Sequence, residues 1–217
     1  MAVRLAQLYV GLVLFGASCA MVILAGLGNA PWDVLHEGLA LQFGLGTGWW
    51  AILASVAVML VWIPLRERPG LGTISNAIVV GLVIQVGIDF FPPAERLLTQ
   101  VALTTGGVAL GGVAGAMYIG AGFGSGPRDG LMTGIARRGL PMGVVRIGIE
   151  VGVLIVGVLL GGTFGPGTVL YAVAIGPIVQ VALPRLRRPR EPRRSSERHG
   201  PDREAGTRRV IWRDRSG

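Results

Sequence analysis

Six runs of about twenty apolar residues follow one another along this chain, at about 5–25, 48–65, 72–91, 101–121, 142–161 and 168–184. A helix of about 20 apolar residues crosses the roughly 30 Å hydrocarbon core of a bilayer. The pattern therefore reads as an all-α, polytopic membrane protein. Composition agrees, since 51% of the 217 residues are hydrophobic and 36 are glycine. Glycine lets helices approach closely in lipid. Gly107-x-x-x-Gly111-x-x-x-Gly115, Gly148-x-x-x-Gly152 and Gly157-x-x-x-Gly161 read as packing stripes of that kind. The single cysteine, Cys19, excludes an intramolecular disulfide and a cysteine-based zinc site. It follows Gly16-Ala17-Ser18 inside a run that continues to Ala25, so the first run reads as a retained helix and not a cleaved signal.

Two of the runs end in the same pattern, A-G-x-G-x-x-P-x-D-x-L-x-x-G-x-A, at 25–40 and 121–136. In each copy a glycine-rich break (Gly26 and Gly28; Gly122, Gly124 and Gly126) precedes a proline (Pro31; Pro127) and an acid (Asp33; Asp129). Proline at the first position and an acid two residues on are helix-start signals. The segments 31–43 and 127–138 thus read as short helices. At 1.5 Å per residue the longer reaches only about 20 Å, too short to cross. They dip in and return, or lie at the interface.

The likeness extends along both halves. At an offset of 96, Gly11, Leu14, Gly16, Ala20, Met21 and Ala25 match Gly107, Leu110, Gly112, Ala116, Met117 and Ala121. At an offset of 95, Gly44, Leu45 and Gly48 match Gly139, Leu140 and Gly143. At that offset Gly70-x-Gly72-Thr73, Ala77, Gly81 and Gln85 also match Gly165-x-Gly167-Thr168, Ala172, Gly176 and Gln180. Coincidence of threonine and glutamine marks a duplication. Each unit has three crossing helices, and three is odd, so the second unit is inverted relative to the first. Arginine placement tests this. With a cytoplasmic N-terminus, Arg4, Arg66, Arg68, Arg137, Arg138 and the C-terminal arginines fall inside, and only Arg96 falls outside. The expected architecture is six transmembrane helices as two inverted three-helix repeats, 1–93 and 94–184, each with a short re-entrant or broken helix, entering from opposite faces.

The glycine-break pattern, the string Gly122-Phe123-Gly124-Ser125-Gly126-Pro127-Arg128-Asp129-Gly130, and G-x-G-T at 70–73 and 165–168 resemble the YczE/YyaS/YitT family of bacterial integral membrane proteins. The likeness is closest to the YczE branch and covers about residues 5–184. It implies a bacterial plasma-membrane protein and brings no substrate, cofactor or catalytic residue.

The residues themselves supply candidates for a substrate site. Asp33 and Asp129 are the symmetric acids, either helix-start residues or a cation or proton site. Arg128 stands where the first copy has Trp32. Beside Ser125 and the glycine-rich helix start it forms a candidate anion site; its plainer accounts are an ion pair with Asp129 or a topology charge. Arg146 and Glu150 lie four apart in an apolar run, on one helix face, as a structural pair or a pathway. Gln85 and Gln180 are expected in interhelical hydrogen bonds. His36, the lone histidine of the membrane part, reads as interfacial.

Residues 185–217 hold twelve arginines against five acids. This segment is expected to be a disordered cytoplasmic tail that fixes topology and touches anionic lipid headgroups. Nucleic acid is not expected as a partner. Nothing indicates ATP hydrolysis, haem, flavin or metal chemistry, so no cofactor, no metal and no enzymatic reaction is expected. The leading expectation is a small-solute transporter or channel-like protein. A lipid-handling flippase or enzyme for a polyprenyl-phosphate-like lipid, and a non-transporting accessory protein, remain alternatives. A homo-oligomer is compatible with the sequence.

Overall fold

The computed structural model describes residues 1–187; the rest of the arginine-rich tail lies outside the described residues. Eight helices occur among them and no strand: α1 (Ala2–Ala25), α2 (Pro31–Phe43), α3 (Thr47–Leu65), α4 (Leu71–Phe90), α5 (Leu97–Gly120), α6 (Pro127–Ala136), α7 (Met142–Leu159) and α8 (Pro166–Leu186). All but α2 and α6 are long and apolar enough to cross a membrane. Their outward faces carry exposed apolar side chains such as Leu60, Ile63, Ile147, Leu159 and Val173. An apolar perimeter is what a helix bundle presents to lipid.

The breakers act where chain chemistry requires. Gly26 closes α1 in the left-handed region, at φ 70°. Pro31 and Pro127 open α2 and α6, where a missing N–H costs nothing. The helix α8 runs to Leu186, two residues beyond the boundary expected at 184.

The two halves touch through matching residues, and the contacts are reciprocal. The bundle centre is the crossing of α1 and α5. A Cβ on Gly11 would lie 2.8 Å from Tyr118 N and 3.1 Å from Met117 Cβ. A Cβ on Gly107 would lie 2.8 Å from Val22 Cγ2 and 3.3 Å from Met21 Cβ. At the offset of 96 these are the same contact seen from each side. The α1–α4 and α5–α8 contacts correspond likewise, with Gly16 against Val83 and Gly112 against Ile178. The α3–α6 and α7–α2 contacts correspond with bulk exchanged. Trp62 covers Gly130 in one, while Gly157 receives Val34 and Leu35 in the other.

One contact is not returned. In the first half α3 packs tightly on α4. A Cβ on Gly48 would meet Gly81 O, and Gln85 Oε1 accepts from Gly48 N at 3.2 Å. In the second half α7 and α8 are not a packed pair. The matching glycines Gly143 and Gly176 face open space, as do Gly148 and Gly152. Gln180 is exposed and makes no hydrogen bond among the described residues, contrary to expectation.

Candidate functional site

Each glycine break folds against the opposite half. Gly28 (φ 111°) and Gly124 (φ 127°) take a conformation that favours glycine. Space excludes a side chain as well. A Cβ on Gly28 would lie 2.8 Å from Gly165 Cα, and one on Gly124 would lie 3.0 Å from Thr73 Oγ1. Backbone bonds clasp the loops: Gly72 N donates to Phe123 O (3.0 Å), and Gly167 N donates to Leu27 O (2.8 Å). Thr73 Oγ1 donates to Ser125 O at 2.7 Å. Glu37 completes the clasp on the first loop. It accepts from Asn29 Nδ2 (2.8 Å), Thr163 N (2.6 Å) and Thr163 Oγ1 (3.0 Å). The G-x-G-T segments thereby hold the starts of α2 and α6 toward the bundle interior.

Between those starts lies a cavity of about 260 Å3 to which all eight helices contribute. Phe15, Gly81, Gly111 and Gly176 line it and fall near the midpoints of their helices, so it sits at mid-height in the bundle. Pro31, Trp32, Gly126, Pro127, Arg128 and Asp129 come from the short helices. Arg146 and Glu150 come from α7, and Tyr118 and Tyr171 from α5 and α8. The wall made by α7 and α8 is open: Ala172, Gln180 and Arg146 line the cavity and are also exposed on the outer surface.

The charges are arranged unevenly. Arg128 does not pair with its neighbour Asp129. It stacks 5.0 Å from the Trp32 ring centroid, and its Nη2 lies 3.6 Å from Asp33 Oδ1. The two positions that break the sequence repeat are thus in contact. Asp33 is buried (2% exposed) and also lies 3.3 Å from His36 Nδ1. His36 is 1% exposed, so it belongs to the interior and not to the interface. Arg146 Nε donates to Glu150 Oε1 at 3.0 Å. Asp129 forms no ion pair among the described residues; the Tyr118 hydroxyl donates to its Oδ2 at 3.4 Å, and the Gly126 N–H at the helix start also donates to it.

Burial without hydrogen bonding is concentrated here. Asn29 Oδ1, Trp32 Nε1, Asp33 Oδ1 and both His36 ring nitrogens are buried with no hydrogen-bond partner. The Asp33–His36 and Asp33–Arg128 contacts are electrostatic approaches without hydrogen-bond geometry. Buried polar atoms are nearly always bonded; at the start of α2, Asp33 is met by His36 and Arg128 through charge and not through aligned hydrogen bonds.

Of the residues singled out by sequence, the structure brings Asp129, Arg128, Arg146 and Glu150 into the cavity wall, with Asp33 behind Arg128. Ser125 is not with them. It lies exposed on the break loop, outside the cavity lining, and contributes its carbonyl to Thr73. Gly26, Gly28, Gly122 and Gly124 shape the loops and do not line the cavity. Tyr118, Tyr171 and Phe15 went unmarked because an aromatic in an apolar run carries no signal of its direction. No group of three His, Cys, Asp or Glu side chains suited to a metal occurs among the described residues.

Comparison with known proteins gives relatives without an assigned activity. A family of unknown function (DUF6198) matches residues 2–184. An uncharacterized protein of Haemophilus influenzae is 42% identical over 173 residues, 79% of each chain. The uncharacterized membrane protein YczE of Bacillus subtilis is 30% identical over 183 residues, 81% of this chain and 83% of its own. The uncharacterized protein YyaS of the same organism is 29% identical over 130 residues, 56% of this chain and 63% of its own. No solved structure matches the chain. With its six long apolar helices, it is a multi-pass membrane protein.

Proposed function

The chain belongs to a family of unknown function, DUF6198, and we propose that it is a small-solute transporter of the bacterial plasma membrane. The observation that carries this reading is the charged cavity at mid-height, built where two short helices start and lined from all eight helices. Ionisable residues at that depth are costly and are placed there for a ligand or an ion. Helix starts add free N–H groups and a positive dipole end.

The matching contacts of Gly11 with Met117 and Tyr118 and of Gly107 with Met21 and Val22, and those of Leu27 and Phe123 with the G-x-G-T segments, support two inverted repeats, 1–93 and 94–184. On this reading α2 and α6 are re-entrant half-helices from opposite faces. The arginine distribution supports cytoplasmic N- and C-termini, with the tail from residue 185 against anionic headgroups. Transport then proceeds without covalent chemistry, by exposing the cavity to one face and then the other.

The test is a flux assay in proteoliposomes, screening charged small solutes by solid-supported-membrane electrophysiology. Asp129→Asn and Arg128→Ala abolish the response while both variants still insert and purify as folded protein. Unchanged flux in both variants sinks the assignment. The lipid-handling alternative has one observation in its favour, the cavity wall open between α7 and α8. Identifying lipids that co-purify with the protein discriminates it: a stoichiometric polyprenyl phosphate favours that reading.

A further inference from the structure

We infer that the cavity receives a lipophilic organic cation, an amine or quaternary ammonium with an apolar tail, which enters from the bilayer between α7 and α8. The inference rests on the transport reading and adds the ligand class and the route.

The route follows from the one contact the two halves do not share. Gly48, Gly81 and Gln85 close α3 onto α4 so tightly that a Cβ on either glycine would meet the facing helix. Their counterparts Gly143 and Gly176 face open space, and Gln180 makes no hydrogen bond among the described residues. The second interface therefore holds the residues of a closed seam and stands open. Beside the opening, Ala172 and Gln180 belong at once to the cavity wall and to the exposed outer surface. Val173 and Val181 on α8, and Ile147 and Val151 on α7, make that surface apolar. A molecule passing here leaves hydrocarbon and meets a polar interior without crossing an aqueous phase. Closing α7 onto α8, as α3 already closes onto α4, would seal it in.

The charge of the head follows from what the protein leaves uncompensated. Arg128 has Asp33 at 3.6 Å, and Arg146 has Glu150 at 3.0 Å. The remaining charged group in the wall is the Asp129 carboxylate, which accepts from the Tyr118 hydroxyl and the Gly126 N–H and forms no ion pair among the described residues. Three carboxylates, Asp33, Asp129 and Glu150, stand against the two guanidiniums of Arg128 and Arg146, so a cationic head balances the site and an anionic head competes with the carboxylates already there. Phe15, Tyr118 and Tyr171 line the same cavity. Aromatic faces beside a carboxylate are suited to ammonium groups.

Size points the same way. A cavity of about 260 Å3 is small beside ligand sites of roughly 300–1,000 Å3. It accommodates a compact head group and leaves an alkyl tail lying in the seam.

The test measures saturable binding by equilibrium dialysis to the full chain in nanodiscs, corrected with empty discs. Three probes separate head from tail: octyltrimethylammonium, octanesulfonate with the opposite charge, and tetramethylammonium with no tail. Octyltrimethylammonium binds, tetramethylammonium binds at least about tenfold more weakly, and octanesulfonate does not bind. Asp129→Asn weakens octyltrimethylammonium at least about tenfold. Gly176→Phe fills the open seam and slows association by at least about tenfold; Ala172→Leu serves if Gly176→Phe fails a thermal-unfolding check.

Equal binding of octanesulfonate, or an unchanged Asp129→Asn, overturns the cation assignment. Wild-type association in both seam variants overturns the route. Tight binding of tetramethylammonium overturns the amphiphile. Failure of all three probes to bind overturns the inference, while flux that is lost in Asp129→Asn keeps the transport reading standing.

Discussion

The contact between Arg128 and Asp33 joins the two halves across the cavity and can be weighed by a double-mutant cycle. At 3.6 Å, and with an effective dielectric constant of about 20, the attraction between these charges is about 5 kcal/mol. Desolvation offsets much of that, so the pair as a whole contributes little. Removing one partner is another matter, because it strands the other charge, at a cost of about 3–5 kcal/mol. The two partners are not equivalent. Asp33 is 2% exposed, while Arg128 is 24% exposed and lines the cavity. Arg128→Ala therefore destabilises the protein more than Asp33→Asn does, since it leaves the buried Asp33 without its arginine, beside His36. The double variant Asp33→Asn/Arg128→Ala recovers about 2 kcal/mol or more relative to the sum of the single effects. The assay is equilibrium unfolding in mixed micelles with rising sodium dodecyl sulfate, read by tryptophan fluorescence. If Arg128→Ala unfolds within about 0.5 kcal/mol of the wild type, or the two effects add, the pair is not the electrostatic link described.

Two further predictions concern packing and the loop clasp. Gly107→Ala and Gly148→Ala make the same chemical change with opposite results. The first drives a Cβ to 2.8 Å from Val22 Cγ2 and destabilises by about 1–3 kcal/mol, while the second enters open space and gains up to about 1 kcal/mol of helix propensity; thermal melts in detergent check the order. Glu37→Gln disturbs the three hydrogen bonds that Glu37 accepts, one from Asn29 of the break loop and two from Thr163, costs about 2 kcal/mol, and increases proteolysis of the 26–30 loop.

Most of the helical scaffold was legible because apolar runs and breakers carry their own boundaries. The short helix at 31–43 occupies that span, and the one beginning at Pro127 ends at Ala136, two residues before the expected limit. The central crossing was legible only in part: Gly107 stood in an expected packing stripe, but that Gly11 meets Tyr118 while Gly107 meets Val22 is visible only in the fold. Side-chain partners were a different matter. Arg128 meets Asp33 and Trp32, about ninety-five positions away, and nothing in the local string distinguishes that from a pair with Asp129. Glu37 and Thr163 are 126 apart and share no motif. The open seam was hidden by the repeat itself: Gly143, Gly176 and Gln180 copy a closed interface, so the sequence reads as closed. Among the residues that differ there, Arg146 and Glu150 replace Ala51 and Ser55 and are bulkier at the same wall.

The central claim is a cavity between the short helices that opens to each face of the membrane in turn. Met132 lines that cavity and is 4% exposed. The direct measurement places a single cysteine there, as Met132→Cys in a Cys19→Ala background, in sealed vesicles of known orientation. A membrane-impermeant maleimide is added from outside in one sample and from the lumen in another. Labelling is expected from both sides, and Gly176→Phe slows it. Labelling from neither side, or from one side alone under every condition, would contradict the claim.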